Sequence, residues 1–109
     1  MGLVKLGNVR LAGGDPAGAL PAYEESLAIV RKLAMSDPHN VEWQTDLVIS
    51  LYKISTVSEP PRARAALREA LGALDVLARD NRLTAAQKSW PHIMRDALAK
   101  LPPEQAQAQ

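Results

Sequence analysis

The chain has 109 residues, one domain's worth, and lies near the size at which every burial contribution counts. Lys and Arg number 13 against 12 Asp and Glu, and the resulting formal charge of +1 argues against a dedicated nucleic-acid binder with its basic stripe. The absence of cysteine excludes disulfides, thiolate nucleophiles and Cys-ligated zinc, and it suits a reducing compartment.

Met1 to Asn8 lacks the apolar run and small-residue cleavage site of a signal peptide. Leu6 stands where a myristoylation motif beginning Met1-Gly2 requires Ser or Thr, and no stretch of eighteen apolar residues occurs. A cytoplasmic location is expected. Apolar residues recur at helical spacing, and no Asn-Gly or Asp-Gly hairpin turn is present, so the expected fold class is all-α. The pattern predicts five helices, at about 2–12, 16–36, 41–57, 61–79 and 85–100. Gly13-Gly14 ends the first. Asp15 is the N-cap of the second and Pro16 its first helical residue, where a missing N–H costs nothing. Its stripe is Leu20, Tyr23, Leu27, Val30 and Ala34. Asp37-Pro38-His39-Asn40 is the next break, with Asn40 capping a helix whose stripe is Leu47, Leu51 and Ile54, joined by Val57. Ser58 to Pro61 leads into the fourth helix, striped by Leu67, Leu71, Leu74 and Ala78. Thr84 caps the fifth, striped by Trp90, Ile93, Ala97 and Leu101. Pro91 should kink that helix or split it after Ser89. Residues 102–109 are expected to form a disordered tail.

Leu3 to Val9 lines up with Leu51 to Val57 at a spacing of 48 residues. Glu25-Ser26-Leu27 lines up with Glu69-Ala70-Leu71, and Leu33-Ala34 with Leu77-Ala78, at a spacing of 44. The chain therefore reads as two copies of a helix–turn–helix unit (1–36 and 41–79) followed by a capping helix at 85–100. Leu6-Gly7-Asn8, Gly13-Gly14-Asp15, Ala19-Leu20, Tyr23 and Asp37-Pro38-His39-Asn40, in that order, resemble a tetratricopeptide repeat. Trp43-Gln44-Thr45-Asp46-Leu47 after the turn resembles the long-period bacterial type. The second copy departs from the family pattern, with Ser55 for the glycine and Leu67 for the aromatic, and the period exceeds the family's 34 residues. The resemblance implies a short solenoid of stacked antiparallel hairpins spanning residues 1–101, with Tyr23 as a buried aromatic. It also implies a concave groove for a protein or peptide, carried onto Val4, Asn8, Tyr52 and Thr56, with Lys5 and Lys53 at its edge. Val4 and Thr56 stand where the family's carboxylate clamp needs lysine and asparagine, so recognition of a terminal carboxylate is not expected.

Catalytic groupings are scarce. His39 lies in a turn and His92 follows Pro91, so no metal site is expected. Gly13-Gly14 lacks the Gly-Lys-Ser/Thr of a phosphate loop. Ser26, Ser50 and Ser55 read as small packing residues without a nucleophile elbow, and Glu24-Glu25 as a solvated face. For Trp43 and Trp90, core packing is favoured over display. Arg62, Arg64 and Arg68 cluster at a helix N-terminus, against the macrodipole. They read as exposed arginines paired with Glu59 or Glu69, the other reading being contact with an acidic partner.

The leading expectation is a non-catalytic protein-interaction module with no cofactor, forming the C-terminal part of a longer repeat array. The alternative is a small helical ligand-binding or enzymatic domain. An open groove favours the first and a closed polar pocket the second, while a basic stripe through the three arginines would favour a nucleic-acid binder. Because the first copy lacks counterparts of Trp43 and Leu47, Ile29, Val30 and Leu33 are expected to be short of a partner. Self-association as a homodimer through the helices at 2–12 and 16–36 would cover them.

Overall fold

The structure is a computed structural model and describes residues 16–102. Among these, every regular element is helical: α1 (Pro16–Ser36), α2 (Val41–Val57), α3 (Pro60–Arg79) and α4 (Trp90–Ala99), the last preceded by a 3-10 turn over Gln87–Ser89. The predicted helix at 2–12, its Gly13-Gly14 terminator and the Asp15 cap lie outside the described residues, as do residues 103–109.

Local chemistry accounts for the boundaries. Pro16 opens α1, and the Asn40 side chain accepts the Trp43 N–H at 3.0 Å to cap α2. Pro60 and Pro61 both occupy the first turn of α3, which begins one residue before its predicted start. At the other end of α3, Asn81 adopts a left-handed conformation with φ of 55°. The Arg82 N–H then reaches the Leu77 carbonyl at 2.9 Å and the Asn81 N–H reaches Ala78 at 3.0 Å, the paired bonds of a Schellman stop. Thr84 and Gln87 exchange side-chain bonds to each other's backbone N–H at 3.1 and 3.2 Å, a capping box. The segment predicted for 85–100 is split after Ser89, one of the two outcomes expected from Pro91. The 3-10 turn ends at Ser89, and α4 begins at Trp90 with Pro91 in its first turn, where a missing donor leaves no bond unmade.

Short links make α2 antiparallel to both neighbours, and it packs between α1 and α3. Two ion pairs bridge α1 and α3 directly. Glu24 meets Arg62 at 3.0 Å, and seven residues further along each helix Arg31 meets Glu69 at 2.7 Å. Equal advance in the same sense makes α1 and α3 parallel. The core between the three is built from Tyr23, Leu27 and Val30, from Val48, Leu51 and Ile54, and from Leu67, Ala70 and Leu74. Its burial pattern recurs at the 44-residue spacing. Pro16 and Pro60 each open a helix, and Ala19 and Ala63, Ala22 and Ala66, Tyr23 and Leu67, Ser26 and Ala70, and Val30 and Leu74 are buried in pairs. The apolar stripes thus occupy equivalent faces of two parallel helices.

Two expectations about this region change. Val30 is not short of a partner: it is fully buried in the core, Leu33 is half-buried, and of the three only Ile29 is exposed, at 45%. At the start of α3, Arg62 does not pair with Glu59 or Glu69. Arg62 is taken by Glu24, and Glu69 is taken by Arg31. Arg64 is 8% exposed, and its guanidinium donates to the Pro102 carbonyl, so the chain beyond α4 is drawn across the first turns of α3. A carbonyl acceptor offsets part of the cost of a buried cation at the positive end of a helix. Pro102, assigned to the tail, is therefore held against the fold.

Candidate interaction groove

α2 and α4 both pack on α3 but scarcely on each other. The space left between them is an open groove of about 250 Å³. Val48, Ile49, Tyr52 and Lys53 form one wall, and Trp90, Ile93 and Met94 the other. The i, i+1, i+4, i+5 pattern on α2 places its four residues on one helical face. On α4, the three- and four-residue spacing from Trp90 does the same. Val48 and Met94 are buried and make the floor, whereas Ile93 is 43% exposed at the rim. Tyr52 and Trp90 are half-buried and rest on the core. The lining is almost wholly apolar.

Among the described residues, Lys53 is the one charged residue in the lining. It is half-buried, and its ammonium makes no ion pair or hydrogen bond among the described residues. A half-buried lysine can lay its apolar stem along such a wall and keep its charged end near water.

Of the groove residues carried over by resemblance, Tyr52 and Lys53 are brought together here. Thr56 is not in the lining: it is exposed, and its hydroxyl bonds back to the Lys53 carbonyl at 2.6 Å. Val4, Asn8 and Lys5 lie outside the described residues. The groove among the described residues thus has a wall that the resemblance did not assign. The sequence signal for that wall was present in the Trp90, Ile93, Ala97 and Leu101 stripe and in Met94 flanking it. Periodicity shows that such a stripe packs, but not which neighbour it leaves uncovered.

Trp43 and Trp90 are both half-buried against the core, so neither is freely displayed. His39 is exposed in its turn, and His92 is exposed with its Nε2 3.4 Å from Asp96 one turn on. No group of three or more potential metal ligands occurs among the described residues. No described helix is long and apolar enough to cross a membrane. The arginine cluster forms no continuous stripe, since Arg62 is paired and Arg64 buried.

Comparison with protein-family models, with curated proteins and with solved structures gives no match.

Proposed function

We propose that this chain is a non-catalytic protein-interaction module of tetratricopeptide-like build, and that the groove between α2 and α4 is where a protein or peptide partner seats. The observation that carries the reading is an open apolar groove walled by two helices, with large side chains half-exposed along it. Exposed apolar surface around such a cleft is what partner helices and peptides cover. Two further points support it. The burial pattern repeats along α1 and α3 at the spacing seen in the sequence, as a stacked-hairpin architecture requires. The groove lining brings no acid and base together, as the enzymatic alternative would need.

The test is selection of twelve-residue displayed peptides against the full chain, followed by titration of the best binder. Ile93→Glu should weaken binding more than tenfold. Met35→Glu, at an exposed apolar site on α1, should leave it unchanged. A failure to select binders, or binders indifferent to Ile93→Glu, would refute the reading.

A further inference from the structure

We infer that the groove is built for a partner segment carrying one large apolar side chain with an Asp or Glu close beside it. This rests on the protein-binding reading above and adds the chemistry of the partner. Two observations lead to it.

The first is size. Sites for free small molecules usually enclose about 300–1,000 Å³ and bury most of the ligand surface. A groove of about 250 Å³, open along one side, cannot do that. It suits an apolar side chain that arrives attached to a larger surface, with the remaining contacts made outside the groove.

The second is Lys53. An occupant that covers Lys53 removes water from its ammonium. An apolar occupant without a counter-charge would leave that cation desolvated and unpaired, which is strongly unfavourable. A carboxylate at the rim turns the same desolvation into attraction and fixes the register of the segment. No carboxylate among the described residues that line the groove supplies it. Of the acids on the two walls, Glu42 and Asp46 lie in the first turns of α2, with Asp46 two turns before Lys53, and Asp96 faces His92 on α4. None of the three lines the groove.

The experiment is a charge swap. Peptides selected against the full chain are compared with those selected against Lys53→Glu, after circular dichroism shows that this half-exposed position tolerates the change. The best wild-type binder is synthesised acetylated and amidated, so that no terminal carboxylate contributes. Binders to the wild type should combine an aromatic or large aliphatic residue with an acid within four residues. Lys53→Glu should weaken the best peptide at least tenfold, and Lys53→Gln less. Replacing the peptide's acid by lysine should weaken wild-type binding to a similar degree and restore most of the affinity for Lys53→Glu. Peptides that Ile93→Glu abolishes, but that lack an acid or ignore Lys53→Glu, would overturn this inference and leave the protein-binding reading standing. If no peptide depends on Ile93, both fail. Sodium dodecanoate is the comparison for a free apolar acid, and tighter binding of dodecanoate than of any peptide would also overturn the inference.

Discussion

Replacing Tyr23 by alanine should bring the domain close to unfolding. Tyr23 is fully buried on α1 and belongs to the core shared with α2 and α3. A tyrosine buries about 150–250 Å², which at about 25 cal/mol per Å² corresponds to about 4–6 kcal/mol. That figure is an upper bound, because the unfolded chain already hides part of the ring. Deletions of core aromatics cost about 3–5 kcal/mol, and this is the loss expected here. Domains of this size are stable by about 5–15 kcal/mol, so the variant would retain little. Tyr23→Leu is a sharper comparison. Leu67 occupies the equivalent position 44 residues later and is only 1% exposed, so a leucine has a workable shape on that face. It should recover most of the loss, leaving about 1–2 kcal/mol. Urea unfolding followed by far-UV circular dichroism reads both values, with an unchanged slope against denaturant as the control. A loss under about 1 kcal/mol for alanine would refute the burial argument. Leucine as damaging as alanine would refute the equivalence of the two positions. Burial also pushes the Tyr23 phenol above its ordinary value of 10.0. The folded state holds the neutral form, so this contribution is complete below pH 10 and is lost as the pH rises through the folded value. Tyr23→Phe should remove that alkaline decline.

Two further outcomes follow from buried polar groups on α2. The Ser50 hydroxyl is fully buried and has no hydrogen-bond partner among the described residues, so Ser50→Ala should stabilise the chain by about 0.5–2 kcal/mol. A loss above about 1 kcal/mol in the same urea assay would mean that the hydroxyl is bonded. Asp46 is half-buried, and desolvation, reinforced by Glu42 one turn away, raises its carboxyl above 3.8. A raised folded value means that the charged form disfavours folding, so the protonated state is the more stable one and the advantage is lost as the pH rises through the folded value. Asp46→Asn should therefore stabilise the domain at pH 7, with the gain disappearing as the pH falls below 3.8. An equal gain at both extremes would refute the electrostatic cause.

Most of the local structure was legible because its signals are local. Asn40 caps α2 wherever the helix ends up pointing, and Pro91 divides the last helical segment regardless of what surrounds it. The buried positions of α1 follow directly from the 3,4 spacing of Leu27, Val30 and Ala34. What the sequence concealed depends on which helix faces which. Arg62 has Glu59 three residues away, a natural partner by spacing, yet it reaches Glu24, 38 residues back on a parallel helix. Arg64 carries no mark that separates it from Arg62 or Arg68, although it is buried and donates to the Pro102 carbonyl. Half of the candidate groove was legible through Tyr52 and Lys53. Its other wall was not, because a stripe of apolar residues on α4 says that the helix packs without saying how much of α2 it leaves open.

The two walls of that groove have unequal mechanical standing. α2 is held on both flanks, whereas α4 has ten residues and leans chiefly on α3. A helix that short does not persist alone in water and keeps its shape only while docked. Its amides should open to hydrogen exchange at a lower free energy than those of α2, making it a separate, weaker cooperative unit. A segment seated between them would join a fixed surface to a yielding one. Part of its binding free energy would go into restraining α4, and the Arg64 contact that ties down the end of that helix would raise affinity without touching the partner.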